Sequence, residues 1–232
     1  MNVDVELIRG SIPELFRATA LTIELTGVSL AFGCAAGCAL GLLRRGRYYM
    51  LRRAAWFYSL VFRGTPLLVQ IFLIYYGLGQ STLLRNSPLW LVFREPFVCA
   101  VLALAANSAA YTSEIVRGAL AAVPAGQWEA SHALGLSKPA ALYLVIGPQA
   151  VVVALPAYSN EAVMMVKSTA LASTVTMFDL TGAARTIVAD TYAPYEIFAT
   201  AGVIYLVLTG LIQKGFASLE RRMRRHAAPA QW

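Results

Sequence analysis

Charge is scarce in this sequence. Of its 232 residues 13% are Asp, Glu, Lys or Arg, while 58% are hydrophobic. Soluble domains carry about 25% charged and about 45–50% apolar residues, so lipid is the expected solvent for most of the chain. Histidine is nearly missing: His132 and His226 both lie outside the apolar runs. An intramembrane hydrolase that needs a buried imidazole base therefore has no candidate. Cys34, Cys38 and Cys99 are an odd set inside apolar runs. They read as small buried hydrophobes, with neither a disulfide framework nor a zinc ligand set around them, and no metal site is expected. There is no GxxxxGK[ST] phosphate loop, so the sequence carries no nucleotide-hydrolysis signature of that type. Residues 1–17 carry Asp4, Glu6 and Glu14 rather than a basic leader region, and the first apolar run reads as a retained helix. The net charge of +7 sits beside apolar runs, which favours a membrane face over nucleic acid.

What is present is a series of apolar runs. A spanning helix needs about 20 mostly apolar residues. Five runs qualify, at about 18–43, 54–78, 96–112, 145–166 and 197–219. The chain is thus expected to be an all-α polytopic membrane protein, one transmembrane unit over 1–232. Arg44, Arg45, Arg47, Arg52 and Arg53 lie between the first two runs, and Arg221, Arg222, Arg224 and Arg225 follow the last. Basic residues in short connections stay in the cytoplasm. Five spans put both groups on that side, with the N-terminus and the 81–95 loop outside. The hydroxyl-rich segment 168–194 then lies outside, and is expected to form a re-entrant or surface helix rather than a sixth span. Gly33, Gly37 and Gly41 repeat every four residues, a spacing for close helix packing.

The most informative stretch is the polar interruption at about 113–140, on the cytoplasmic side. Pro124 and Gly126 break the outgoing third helix. Gln127 to Leu134 reads as two helical turns. Gly135 suits the left-handed residue that stops a helix. Ser137 can cap the next helix, with Pro139 in its first turn. A helix this short needs support from its neighbours or a partner. Trp128 and Leu134 offer apolar contacts, Glu129 and His132 polar ones. The residues alone leave a plain connector equally open.

Glu129-Ala130-Ser131, then Gly135, Val145 and Pro148, resembles the EAA loop of bacterial ABC importer permeases. Ser131, Val145 and Gly147 replace that pattern's Ala, Ile and Leu. Arg63-Gly64-Thr65-Pro66-Leu67-Leu68-Val69-Gln70 is similar to a segment of polar amino-acid permeases. Leu155–Glu161 and Lys167–Ser173 are similar to segments of the histidine/lysine/arginine/ornithine and opine branch, in its M-type subunit. The resemblance implies a type I ABC importer permease fold with a cytoplasmic EAA coupling loop in a bacterial inner membrane. It implies that Glu129, Ala130, Ser131 and Gly135 dock on an ATPase. It also implies a second permease subunit (a Q-type sister, or a second copy), two ATPase subunits that bind ATP and Mg2+, and a periplasmic substrate-binding protein. No cofactor is expected on this chain, and no nucleic acid partner. A secondary transporter or channel without an ATPase is the rival reading. Lack of an internal repeat opposes it.

Charges inside a membrane are costly and mark function or pairing. Glu161, beside Asn160 and near Pro156, is placed to meet the cationic group of a basic amino acid, or else to pair with Arg63 or Lys167. Lys167 at the helix end either snorkels to the interface or receives a substrate carboxylate, with Ser168 and Thr169 beside it. Arg63, about nine residues into the second run, is about 13 Å deep on a straight helix. It needs a partner there: Glu114, Glu161 or a helix end. These six residues form the expected substrate pathway.

Overall fold

The computed structural model describes residues 4–78 and 81–227, with side chains through Arg224, so the side chains of Arg225 and His226 lie outside the described residues. All regular structure among the described residues is helical. The first helix, α1 (Val5–Leu43), starts well before the apolar run expected at 18–43. Asp4 caps it, its Oδ1 accepting from the Leu7 N–H at 2.9 Å. At ~1.5 Å per residue this helix exceeds the ~30 Å hydrocarbon core. Its charged first turns therefore extend beyond the lipid, which is why hydropathy missed them. Its buried face begins with Ser11, Leu15, Thr19, Thr22 and Leu25. The Ser11, Thr19 and Thr26 hydroxyls donate to carbonyls one turn back, so they can sit inside without an unmet donor.

The central helix is α6 (Pro96–Ala122), the most buried of the apolar helices. Gly33, Gly37 and Gly41 of α1 face Ser108, Thr112 and Val116 of α6, in that order. Both series climb in steps of four, so the two helices run parallel. A Cβ on Gly33 would lie 2.7 Å from the Ser108 Cβ, and one on Gly41 2.8 Å from the Val116 Cβ. The glycine repeat is thus a groove cut for α6. Two parallel spanning helices require one net crossing between them.

That crossing is a broken helix. α2 (Tyr49–Gly64) and α3 (Leu67–Phe72, continued as a π turn over Leu73–Gly77) meet at 105°. The expectation of one continuous span over 54–78 is corrected here. Pro66 lacks an N–H and drives the preceding residue out of the helical region; Thr65 is extended, at φ −112° and ψ 146°. The carbonyls freed by the break are recaptured. The Gln70 amide donates to the Phe62 carbonyl at 2.8 Å and to the Thr65 carbonyl at 3.1 Å. Asn107 of α6 donates to the same Phe62 carbonyl and to Gln70 Oε1. The RGTPLLVQ segment is therefore a built corner.

Short helices α4 (Thr82–Arg85) and α5 (Trp90–Phe93) lie in the connection from α3 to α6. After α6 come α7 (Ala125–Ala133) and α8 (Lys138–Ala141). A π turn over Leu142–Ile146 joins α8 to α9 (Gly147–Ser168). With the 3-10 turn Thr169–Val175 behind it, the fourth span runs over Lys138–Val175, longer than the expected 145–166. Gly147 donates its N–H to the Leu142 carbonyl, and a Cβ there would lie 2.6 Å from that oxygen. Glycine where the EAA pattern has leucine thus admits the π turn.

The segment after the fourth span then forms α10 (Leu180–Thr191), a short packed helix, and α11 (Pro194–Ala227) is the last span. Asp179 caps α10, accepting from the Gly182 N–H at 3.0 Å and the Thr181 N–H at 3.3 Å. The Leu180 N–H goes to the Thr22 hydroxyl of α1. Leu180, Ala184 and Ile187 pack with Leu15, Ile197 and Ala201, which fixes α10 against α1 and α11. By contrast α9 exposes Val151, Val153 and Met164, and α11 exposes Phe198, Val203, Leu206, Val207 and Leu211.

Candidate functional site

The loop between α6 and α9 has the predicted build. α7 ends in a paired hydrogen-bond stop: Gly135 N–H to the His132 carbonyl at 2.9 Å, and Leu136 N–H to the Ser131 carbonyl at 3.0 Å. Gly135 takes φ +75°, the left-handed value this motif needs. The Ser137 hydroxyl accepts from the Ala140 N–H at 3.4 Å, and Pro139 lies in the first turn of α8.

Packing then divides the loop into two faces. Ser131 is buried, its hydroxyl donating to the Gln127 carbonyl at 2.7 Å. Trp128 packs on a cluster of Ala119, Leu120, Val123, Ile146 and Ala150. Glu129, Ala130, His132 and Gly135 are exposed, and Leu134 is 80% exposed. So Trp128 holds the short helix to the membrane unit, while Glu129, Ala130, Leu134 and Gly135 form a free outer face. Of the two apolar contacts expected, Trp128 serves the fold and Leu134 remains available to a partner.

Arg63 finds Glu114 as its partner, at 3.2 Å, and lies over the Tyr111 ring at 5.4 Å. It is half-exposed rather than deep in a straight helix, because the corner at Thr65-Pro66 ends α2 beside Arg44, just past the end of α1. Glu114 also receives Arg44 at 2.6 Å and Arg117 at 2.8 Å. One carboxylate thereby ties together the end of α1, the corner of the broken span and the root of the loop. The sequence reading offered Glu114 among the partners of Arg63 but missed that Arg44 and Arg117 share it. The Glu114/Arg117 spacing was a signal for one leg, but Arg44 lies 70 positions away. Gln70 and Asn107 were missed likewise; two amides inside apolar runs were their only signal.

The remaining pathway residues sit on or just after α9. Glu161 is partly buried, with its carboxylate beside the buried Ser108 hydroxyl of α6, which has no other hydrogen-bond partner. Ser29 and Thr112 along the same α1–α6 seam also hold unpartnered buried hydroxyls. Among the described residues no Lys or Arg stands within ion-pair distance of Glu161, so the alternative pairing with Arg63 or Lys167 is not made. Asn160 and Lys167 are exposed, and Ser168 is intermediate. Thr169 is fully buried and donates to the Val166 carbonyl at 2.7 Å. It is thereby turned into the fold, not toward a pathway.

Beside α10 a cavity of about 370 Å3 is lined by Ser173, Thr176, Phe178, Arg185 and Thr186, among others. Asp179 lies fully buried behind it. Burial pushes its carboxyl up from the usual range, while the Gly182 and Thr181 N–H groups pull it back. Among the described residues no group of three His, Cys, Asp or Glu is arranged to hold a metal ion.

Similarity to known proteins agrees with this architecture. Residues 29–225 match the family described as the binding-protein-dependent transport system inner membrane component. The octopine transport system permease protein of Rhizobium meliloti is 48% identical over 89% of this chain and 84% of its own length. The arginine ABC transporter permease protein of Haemophilus influenzae is 42% identical over 88% of this chain and 89% of its own. A crystal structure of an amino acid ABC transporter with histidines superposes with a TM-score of 0.85. It is 35% identical, over 96% of this chain and 100% of that one. The inward-facing methionine transporter MetNI, at 21% identity, shares the fold, with a TM-score of 0.72 over 90% of this chain and 95% of that one. An all-helical unit with a broken second span, an exposed loop helix and these relatives has one reading: the chain belongs to the inner membrane components of binding-protein-dependent transport systems, as a membrane-embedded ABC importer permease rather than an enzyme.

Proposed function

We propose that this permease carries cationic amino acids or opines inward, driven by ATP and Mg2+ bound on a separate ATPase. One observation carries the cargo assignment. Glu161 is a partly buried carboxylate with no cation from the protein within ion-pair distance among the described residues. Such a charge is expensive unless something pairs with it. The cargoes named for the relatives, arginine, octopine and nopaline, each contain a guanidinium group that suits it. Asn160 and Ser168 offer polar contacts along the way, and Lys167 a cation for the cargo carboxylate. Arg63 belongs to the Glu114 hub and acts on the pathway through it.

Coupling follows from the exposed face of α7. Glu129, Ala130 and Gly135, on a helix stopped rigidly at Gly135, offer an ATPase a fixed knob; Ser131 anchors it from behind. Closure of two ATPases on ATP would push this knob, and α6 and α9 would relay the movement. The apolar faces of α9 and α11 suit a second permease subunit, with a Q-type sister favoured over a second copy. A periplasmic binding protein would deliver cargo on the α10 side. The N-terminus is then outside and the C-terminus cytoplasmic, as the arginine clusters require.

Two measurements test this. In liposomes, the reconstituted complex is expected to take up arginine in an ATP-dependent way. Glu161→Gln should lower that uptake about tenfold or more, since a charge-assisted contact contributes about 1.5–3 kcal/mol, with ATPase association unchanged. Unchanged arginine uptake in the variant would refute the cargo assignment. Co-purification with the ATPase should be lost in Gly135→Pro and Glu129→Arg while both still migrate as folded protein. Equal recovery by these variants would make the loop a plain connector.

A further inference from the structure

We propose that this chain binds one anionic phospholipid in a groove between α1, α6 and the start of the fourth span. Its phosphate would rest on Arg45 and Lys138. Two cavities run into each other there. The membrane-side cavity, about 540 Å3, is lined by Cys38, Val116, Ala119, Tyr143, Val151 and Ala154, among others, and carries no charged side chain. The cytoplasmic-side cavity, about 500 Å3, is lined by Arg45, Trp128 and Lys138, among others. Leu42, Leu120, Pro139 and Leu142 line both, so the two form one continuous groove.

The groove changes chemistry along its length as a phospholipid does. Its inner part is apolar, and its mouth carries two cations and a tryptophan. No acid lines either cavity. Arg45 lies over the Trp128 ring at 5.5 Å, which holds the guanidinium at the mouth. Its neighbour Arg44 is committed to Glu114, whereas neither Arg45 nor Lys138 is in an ion pair among the described residues. Tryptophan and tyrosine sit preferentially at headgroup level, and basic pockets between spanning helices on the cytoplasmic side bind anionic headgroups. A helix of a second permease subunit would fill the apolar part but gives no reason for two cations at one end. The occupant would also touch Trp128, the residue that anchors the coupling helix, so the lipid would stiffen the loop's support. The leaflet rests on the orientation proposed above; the binding itself does not.

The test uses the purified permease–ATPase complex in detergent, with phosphatidylglycerol bearing a photoreactive acyl chain. Cross-linking is expected on the peptide around Tyr143–Ala154, competed by unlabelled phosphatidylglycerol but not by phosphatidylcholine. Arg45→Gln with Lys138→Gln should lower labelling about tenfold. Ala154→Trp, which fills the apolar part and leaves both cations, should lower it as well. Glycerol 3-phosphate, a headgroup without chains, should not compete; if it does, the ligand is a soluble phosphate and the lipid proposal falls. Equal competition by phosphatidylcholine, or a groove peptide left unlabelled because the second permease subunit covers it, would also overturn it. None of these readouts depends on transport, so their failure is separable from failure of the cargo assignment.

Discussion

Gly37→Leu is expected to abolish accumulation of folded permease. A Cβ at Gly37 would overlap the Cβ and Cγ2 of Thr112, and would lie 2.9 Å from the Ala109 carbonyl oxygen. A side chain can rotate away, but a helix carbonyl in the middle of α6 cannot. Either α1 and α6 separate, or the helices shift in register and Gly33 and Gly41 lose their fit as well. Overpacking a well-filled core costs about 1–3 kcal/mol and sometimes more. Here the cost falls on the seam that holds the central helix, so the upper end or beyond is expected. Gly27 supplies the control. It lies on the same helix, and a Cβ added there would meet nothing within 4 Å, so Gly27→Leu should accumulate normally. Size-exclusion profiles of fluorescent fusions in detergent would show a monodisperse peak for the wild type and Gly27→Leu, and none for Gly37→Leu. A normal peak for Gly37→Leu would mean that α1 does not pack on α6 in the membrane.

How much was legible in the sequence depended on how local the cause was. Gly135 was readable because the stop needs one left-handed residue next to a helix end. Ser137 and Pro139 were readable for the same reason. The spans themselves were readable as apolar runs, but their ends were not. Glu6, Arg9, Glu14 and Arg17 hid the first turns of α1, since hydropathy averages charges that the helix simply carries out of the lipid. The corner at Thr65-Pro66 was in plain view, yet the residues on both sides stay apolar and the run reads as continuous. What identifies the corner as built is Asn107 donating into it from another helix, and no local pattern shows that. Glu161 shows the same limit. Its position was evident, but whether Arg63 or Lys167 reaches it was a matter of tertiary geometry, and Arg63 is engaged elsewhere.

Where Arg63 is engaged, the second large effect is expected. Glu114→Gln should destabilise the permease by about 2–3 kcal/mol. Removing one partner of a buried ion pair costs about 3–5 kcal/mol, because the other charge is left without compensation. Partial exposure lowers that figure here: the Glu114 side chain is 22% exposed and that of Arg63 42%. Arg44 is the exception, at 8%. It cannot reach water easily, so most of the loss should fall on it. Arg117, at 47%, can turn outward, and Arg117→Gln should cost well under 1 kcal/mol. The double variant Glu114→Gln/Arg44→Gln should therefore be less damaged than the two single changes summed, since it removes the stranded charge together with its partner. Thermal unfolding of the four variants in detergent would check this ordering. Melting of Glu114→Gln at the wild-type temperature would show that the hub holds nothing together. A hub that does hold should also matter for transport. It fixes the corner of the broken span to the root of the helix that leads to α7, so loosening it should uncouple ATP hydrolysis from uptake even where folded protein remains.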